Sequence, residues 1–360
     1  SEEPSLAHGA FGAMGGLVTT ARDLARYVAF QLSAFPPRDE AERPPVRRSS
    51  VREMQFAWRS SGFSSNRGVA DGLLQITARA YGYGLGISQD CRFSHIVGHG
   101  GGLPGFGSYM MWLPEYGAGM FAMANVTYAG PSGPISEAFD LLHKTGALAR
   151  RELPPSPALT STRDAIARLW KNWNGRDFAD IAAGNLFLDI PAETRRKEIE
   201  RIQAELGPCS SSSDVRALNL LRGSFRLNCE RGFADVTFTL APTMPPAVQH
   251  LSFATTKPLD RAMKTAASEI AAQFGSASAE RLTPLAASSL DLAALGRRID
   301  AARPVYGACR AGEPVSGDGV TSARVRLSCD LGQLDINLRA ESGKLTAVTL
   351  AAAPGTYCAP

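Results

Sequence analysis

The sequence lacks several features that would assign the protein to a class directly. It has no apolar run near the roughly 18 residues that a membrane-spanning helix needs, so we expect no transmembrane segment. Its six cysteines show no Cys-x-x-Cys spacing, which argues against a zinc site of the usual kind. It has no signal peptide, and it begins with serine rather than methionine, which favours a processed, trimmed or partial chain.

An excess of charge of one sign is also absent. The 360 residues carry a formal net charge of +4, with 44% hydrophobic and 20% charged residues, which is ordinary for a globular protein. The basic residues are scattered, except in a proline-rich stretch that contains Arg38, Arg43, Arg47 and Arg48. We interpret that stretch as a solvated loop and expect no nucleic-acid partner. The length predicts two or three domains.

The most informative stretch is VGHGGGLPGFG, at residues 97–107. Glycine inside a strand usually marks the close approach of another backbone or of a ligand. His99 beside a glycine-bared strand edge therefore indicates the wall of a site, although a glycine-rich turn with a surface histidine is an equally good reading. A hairpin follows, with strands at 108–113 and 120–126 and a turn at 114–117.

This stretch resembles a known motif. His99-Gly100-Gly101, followed by Leu103-Pro104-Gly105-Phe106, is similar to the third motif of the serine β-lactamase and penicillin-binding-protein family, nearest to its class C-like esterases and D-aminopeptidases. Upstream, AMGGLVTTARDL at 13–24 resembles the Gly-Gly helix start of the same family. The resemblance covers about 145 residues and implies an α+β fold, an antiparallel sheet with covering helices.

The resemblance also implies roles for particular residues. His99 would be catalytic, in the place of the family's lysine, binding a substrate carboxylate or assisting proton transfer by a tyrosine. The backbone N–H of Gly102 would donate to an oxyanion, and Gly100 and Gly101 would keep side chains out of the substrate's path. The aromatic residues expected to line the cleft are Tyr81, Tyr83 and Phe106.

The family's nucleophile is missing from this sequence. No serine is followed three residues later by lysine, and no tyrosine two residues later by asparagine. We therefore predict that residues 1–153 are the C-terminal part of a serine hydrolase domain acting on esters, amides or peptides. The nucleophile would come from a preceding segment or from another chain, and this chain alone would be inactive.

Other interpretations stay open. The chain could be a non-catalytic binding or scaffold protein, with its C-terminal part contacting a partner protein, a cell-wall peptide or a small ligand. No cofactor is implied. A metal site is not expected either, because His95 and His99 share a strand face but no third ligand lies nearby in the sequence.

Local signals predict further elements in residues 1–153. Thr20, with Asp23 three residues later, is a plausible N-cap for an amphipathic helix that ends before Pro36-Pro37. The predicted elements are a helix over 21–34, a short helix from Ser49 or Ser50 to Trp58, a loop over 60–72, a strand over 81–87 and a closing helix over 132–150.

Beyond a proline-rich linker at 154–157 the sequence repeats itself with an offset of 100 residues. Matching pairs are Gly207 and Gly307, Cys209 and Cys309, Cys229 and Cys329, and Gly232 and Gly332. Each half runs from helical stripes to period-two strands. This predicts two α+β modules, 158–256 and 257–356, with helices on a three- or four-stranded antiparallel meander, weakly similar to cystatin-like or NTF2-like modules.

The repeated spacing predicts disulfides Cys209–Cys229 and Cys309–Cys329, each tying a helix end to the first strand. Closing a loop of about 20 residues contributes about 3 kcal/mol in the chain-entropy model. Cys91 and Cys358 are a further possible pair. Disulfides imply an oxidising compartment, so we expect a periplasmic or secreted bacterial protein.

Overall fold

The computed structural model describes residues 7, 9–38, 40–42, 45–67, 74–275 and 279–353. The chain divides into two compact units, Ser1–Glu152 and Leu153–Pro360. The fold is α+β, as predicted, with antiparallel sheets and covering helices. No helix in the described ranges is long and apolar enough to cross a membrane.

The described part of the first unit is a six-stranded sheet with helices before and after it. Its strands pair in chain order and all neighbours are antiparallel. The helices are α1 (Gly12–Gly15), α2 (Ala21–Ser33), α3 (Arg48–Met54) and α4 (Ser132–Lys144). The strands are β1 (Arg59–Arg67), β2 (Leu74–Tyr81), β3 (Gly86–Asp90), β4 (Ile96–Leu103), β5 (Phe106–Leu113) and β6 (Ala118–Ala124).

Helix α2 begins as its sequence predicts. The Thr20 side chain accepts a hydrogen bond from the backbone N–H of Asp23 at 3.2 Å, which satisfies one of the free N–H groups of the first turn. Val28 and Leu32, four residues apart, are buried on one face of the helix. They pack against Val97 and Trp112 of the sheet.

Helix α4 covers the opposite face of the same sheet. Its buried residues Ile135 and Phe139 pack with Phe93 and Leu113, and Tyr109 lies against this cluster. The sheet is thus a central layer between α2 and α4, as expected for an antiparallel sheet whose two faces carry apolar residues.

Buried glutamines join α2 and α3 to the sheet. Gln55 Nε2 donates to Gln31 Oε1 at 2.9 Å, and Trp112 Nε1 donates to Gln55 Oε1 at 2.9 Å. All three residues are buried. Since a buried polar group without a partner is costly, this network fixes how the two helices lie on β5.

Several predicted elements of the first unit were wrong in detail. The predicted strand over 81–87 is the end of β2, a turn and the start of β3, because Gly82 N–H donates to the Leu85 carbonyl and Gly84 adopts a φ of +69°. The predicted loop over 60–72 is strand β1 as far as Arg67, and 68–73 lie outside the described residues. The short helix ends at Met54 and the closing helix at Lys144.

The second unit contains helices laid on one continuous sheet. The helices are α5 (Pro157–Lys171), α6 (Gly175–Ile181), α7 (Leu186–Asp189), α8 (Ala192–Leu206), α9 (Arg261–Ala272) and α10 (Leu292–Tyr306), with a 3-10 helix at Ala279–Leu285. The strands are β7 (Cys209–Ser212), β8 (Arg216–Asn219), β9 (Arg222–Cys229), β10 (Gly232–Leu240), β11 (Val248–Thr256), β12 (Cys309–Gly317), β13 (Ser322–Cys329), β14 (Gly332–Glu341) and β15 (Lys344–Ala352).

Each half of the repeat has its own hydrophobic core. In the first, α5 and α8 pack on β9 and β10; in the second, α9 and α10 pack on β13 and β14. Across the described strands the order is β15-β14-β13-β12-β11-β10-β9-β7, with β8 also on β9. The halves meet where β11 runs parallel to β12, through Thr256 opposite Gly317 and a bond from Lys257 N–H to the Gly317 carbonyl at 3.0 Å.

Both predicted disulfides, Cys209–Cys229 and Cys309–Cys329, are confirmed. Each joins directly opposite residues of adjacent antiparallel strands, β7 with β9 and β12 with β13. The prediction that they tie a helix end to a strand was wrong, because α8 and α10 end three residues before the first cysteine of each pair. The possible partner of Cys91, Cys358, lies outside the described residues.

Candidate active site

Strand β3 pairs with only the first half of strand β4. β3 and β4 pair at Gly86 with Gly98, Ile87 with Val97 and Ser88 with Ile96, and their pairing stops there. β5, in contrast, pairs with β4 all the way to Leu103. Among the residues that the structure describes, the stretch 99–102 therefore has a strand partner on one side only. Because the backbone groups of successive strand residues point to alternate sides, part of this edge presents N–H and C=O groups that no described strand pairs with.

His99 is the first residue of this open edge. It lies one position beyond the last β3–β4 pair, and Tyr81 lies opposite Gly86 at the end of β2. The Tyr81 hydroxyl and His99 Nε2 are 3.0 Å apart, with the rings in an edge-on arrangement. A neutral imidazole can accept this hydrogen bond and an imidazolium can donate it, so the contact is compatible with proton transfer at His99.

The glycines around His99 divide between the two faces of the sheet. Strand alternation puts His99 and Gly101 on the face of Val97, which packs on α2, and the other glycines on the face of α4. A Cβ at Gly98 would lie 2.7 Å from the Met110 carbonyl oxygen. At Gly101 the nearest atom is the Ser108 hydroxyl oxygen, at 2.7 Å. Only the second neighbour can rotate away.

Tyr128 is a residue of this region that the sequence did not reveal. Its φ is +52°, and its ring would lie 2.4 Å from a Cβ at Gly102. Its N–H donates to the Phe106 carbonyl at 3.1 Å, so the segment that follows β6 runs beside the β4–β5 turn. The signal in the sequence is slight, since Tyr-Ala-Gly after a strand is an ordinary loop ending.

The predicted cleft residues are not all at His99. Tyr81 contacts it directly. Tyr83 donates its hydroxyl hydrogen bond to Glu53 Oε1 at 3.1 Å, and this bond raises the pKa of the Tyr83 phenol. Phe106 is exposed at the start of β5, opposite Leu103 and so at the far end of the open edge. The three aromatics therefore flank the edge at different points.

His95 is separated from His99 by its surroundings. It is largely enclosed, its Nε2 lies 3.0 Å from the Gln55 carbonyl oxygen, and its ring meets Phe35 edge-on. Burial lowers the pKa of His95, which keeps the imidazole neutral. His95 therefore acts as a packing residue behind the sheet. In the described ranges no group of three histidine, cysteine or acidic side chains is arranged to hold a metal.

Chemically, the site offers one imidazole, one phenol hydrogen-bonded to it and an open strand edge. An extended substrate could pair with that edge by backbone hydrogen bonds, and His99 could hold or move a proton beside it. A nucleophile next to these groups would complete an acyl-transfer site, but the described residues near His99 supply no serine paired with a lysine.

Comparison with known proteins gives one family. Residues 1–144 match the family model described as Beta-lactamase. No curated protein matches the chain. Among solved structures, the octameric penicillin-binding protein homologue from Pyrococcus abyssi is 13% identical, with a TM-score of 0.27; the alignment covers 92% of this chain and 45% of that one. A TM-score of 0.27 does not indicate a shared fold. By the family match, residues 1–144 are therefore similar to the Beta-lactamase family.

Proposed function

We propose that residues 1–153 form the C-terminal part of a class C-like serine hydrolase domain that cleaves ester, amide or peptide bonds through an acyl-enzyme. In this proposal the attacking serine and its lysine belong to residues that this sequence does not include, on a preceding segment or on another chain. The observation that carries the proposal is His99, hydrogen-bonded to Tyr81 at 3.0 Å, at the start of an unpaired strand edge.

The open edge supports a role in binding the acyl part of a substrate. Gly100 and Gly101 are exposed, so an extended chain can approach the backbone of β4 closely. We propose that the Gly102 N–H is one oxyanion donor. Preorganised donors of this kind contribute about 3–4 kcal/mol to transition-state stabilisation.

The histidine favours some substrates over others. A histidine stands in the place of the family's lysine, and an imidazole binds a substrate carboxylate less strongly than a permanently charged ammonium does. We therefore propose esters and neutral amides rather than penicillins. Tyr81 would hold the imidazole in one orientation, and Tyr83 and Phe106 would contact the substrate further along.

For the second unit we propose two tandem modules, 158–256 and 257–356, that bind a partner protein or a small ligand. The two disulfides support a periplasmic or secreted location, because such bonds persist in oxidising compartments. A non-catalytic scaffold remains the competing function, and its specific support is the absence of Ser-x-x-Lys from the 360 residues.

The test is to assay this chain and a longer product that includes the coding region immediately upstream. We expect no hydrolysis of p-nitrophenyl acetate by the present chain. We expect hydrolysis by the longer product, with one site titrated by a serine-directed phosphonate. In the active form, His99→Ala should lower kcat/KM by about 100-fold or more, in the range of lost general acid–base catalysis.

The matched control is His143→Ala, since His143 lies on α4, on the other face of the sheet. It should leave kcat/KM within about twofold. Phosphonate-titratable activity in the present chain would contradict the proposed origin of the nucleophile. An upstream coding region without Ser-x-x-Lys would remove the preceding-segment version of the proposal and favour the scaffold.

A further inference from the structure

Three aromatic side chains cluster on the surface where α3 ends against the β2–β3 turn. Phe56, Trp58 and Tyr83 are 53%, 57% and 54% exposed. The rings of Trp58 and Tyr83 are nearly parallel, with centroids 6.3 Å apart, and Phe56 lies 6.1 Å from Trp58. We call these three residues the aromatic cluster. So much exposed aromatic surface in one place is typical of a binding site.

Glu53, at the end of α3, holds the aromatic cluster in place. Its backbone carbonyl accepts a hydrogen bond from Trp58 Nε1 at 2.8 Å. Its carboxylate accepts one from the Tyr83 hydroxyl at 3.1 Å. The Tyr83 N–H in turn donates to the Met54 carbonyl at 3.0 Å. Two rings from distant parts of the chain are thus fixed before any ligand arrives, which lowers the entropy cost of binding.

The charge of Glu53 indicates the kind of ligand. The carboxylate is exposed, and among the described residues it forms no ion pair with a lysine, arginine or histidine. Aromatic faces carry a partial negative charge and attract cations, most strongly for tryptophan. The Glu53 carboxylate bonds to Tyr83, whose ring stacks on Trp58, so a negative charge and two aromatic faces share one exposed surface. That combination favours a cation that carries methyl or methylene groups over both simple metal ions and neutral apolar groups.

We propose that the aromatic cluster and Glu53 bind an organic cation, a quaternary or alkyl ammonium group. The aromatic faces would contact the methyl or methylene groups, and the carboxylate would neutralise the charge. The cluster joins the candidate site through the β2–β3 turn: a Cβ at Gly82 would lie 2.3 Å from the Met54 carbonyl oxygen, and Gly82 follows Tyr81 directly. The cation would therefore bind beside the open edge of β4.

Tyr83 belongs to both this site and the proposed hydrolase site, but the two proposals fail separately, because cation binding is tested without turnover. The probes are choline and its neutral isostere 3,3-dimethylbutanol, which differ in charge and hardly in shape. Tryptophan fluorescence reports mainly on the cluster, since Trp58 is 57% exposed, Trp112 and Trp170 are 0% and 3% exposed, and Trp173 is partly buried. The Trp58→Ala variant separates the signal of Trp58 from that of Trp173. Calorimetry with the full chain supplies a second readout that does not depend on tryptophan.

We expect choline to bind saturably and at least about tenfold more tightly than the neutral isostere. Trp58→Ala should weaken choline binding by about tenfold, within the range of one desolvated cation–π contact. Glu53→Gln, which keeps an acceptor for Tyr83 but removes the charge, should weaken choline and leave the isostere unchanged. The matched control is Phe63→Ala, because Phe63 is also exposed, at 68%, on β1 but has no ring partner among the described residues.

Equal affinity for choline and the isostere would overturn the proposal. So would a loss with Phe63→Ala as large as that with Trp58→Ala, or no saturable choline binding to a chain whose circular dichroism shows it folded. If Trp58→Ala unfolds, the Glu53→Gln comparison alone decides, since that variant keeps the hydrogen bond and changes only the charge.

Discussion

Replacing Gln55 with leucine should destabilise the first unit by breaking the buried network behind the candidate site. Gln55 Oε1 accepts from Trp112 Nε1 and Gln55 Nε2 donates to Gln31 Oε1, both at 2.9 Å. Leucine fills a similar volume but can form neither bond. It leaves a buried indole N–H and a buried amide oxygen without partners, and each such group costs about 1–3 kcal/mol. The expected loss is therefore about 2–6 kcal/mol.

The assay is native-state hydrogen exchange resolved by peptide. Amides in α2 and β5 should exchange at least about 30-fold faster in Gln55→Leu, since each 1.4 kcal/mol corresponds to tenfold. Amides in β13, which belongs to the second unit, serve as the internal control. Exchange in β13 should not change.

A double substitution tests the reasoning itself. In Gln31→Leu/Gln55→Leu the amide oxygen of Gln31 is gone, so only the Trp112 N–H stays unpaired. The double variant should thus be no less stable than Gln55→Leu alone, although Gln31→Leu by itself is destabilising. Additive losses, or a Gln55→Leu effect below about 0.5 kcal/mol, would refute the view that unpaired polar groups set the cost.

Three further predictions follow from the structure. Removing the first disulfide with Cys209→Ser/Cys229→Ser should cost about 3 kcal/mol in urea denaturation, and Cys309→Ser/Cys329→Ser should cost the same, because both loops have a separation of 20 residues; unequal losses would contradict a loop-entropy origin. Burial lowers the pKa of His95 below the ordinary 6.5, so between the two pKa values the unfolded chain binds a proton that the folded chain does not. The free energy of unfolding should therefore be highest above about pH 7 and fall towards pH 5. His95→Asn should make that fall smaller. Gly98→Ala should lower the melting temperature sharply, because its Cβ would meet a backbone oxygen at 2.7 Å, whereas Gly101→Ala, facing a rotatable serine hydroxyl, should lower it little.

The sequence predicted those elements whose signals are local. Thr20 and Asp23 placed the start of α2, and the identical cysteine spacing in both repeats predicted two disulfides. The hairpin of β5 and β6 was recognised from its turn residues. In each case the residues that determine the structure lie within about twenty positions of one another.

Strand β1 could not be recognised because it shows no period. It is an edge strand, and from Arg59 to Asn66 nearly all its side chains are exposed on both faces, so polar and small residues occupy nearly every position. In 81–87 the opposite occurred: aromatic residues alternated with glycine and mimicked a strand. The positive φ of Gly84 makes a turn there, and alternation alone cannot distinguish the two.

The sequence predicted the candidate site only in part, because most of its contacts join residues that are far apart in the chain. His99 stands out through its glycine neighbours, but its partner Tyr81 is 18 residues away, and Glu53 and Tyr83 are 30 residues apart. Such contacts depend on strand register and on how α3 ends against the β2–β3 turn. Because the partners show no regular spacing in the sequence, these contacts could not be predicted from one sequence alone.

Two different physical reasons explain why glycine occupies the positions around His99. A Cβ at Gly98 would strike the backbone of β5, one at Gly100 would lie 3.1 Å from the Tyr109 ring, and one at Gly102 would strike Tyr128. These three lie on the α4 face, so packing against neighbouring groups already requires small residues there. Gly101 lies on the same face as His99 and is confined only by a rotatable hydroxyl. We propose that access for a substrate beside His99 accounts for Gly101, because packing against neighbouring groups does not by itself require a glycine at that position.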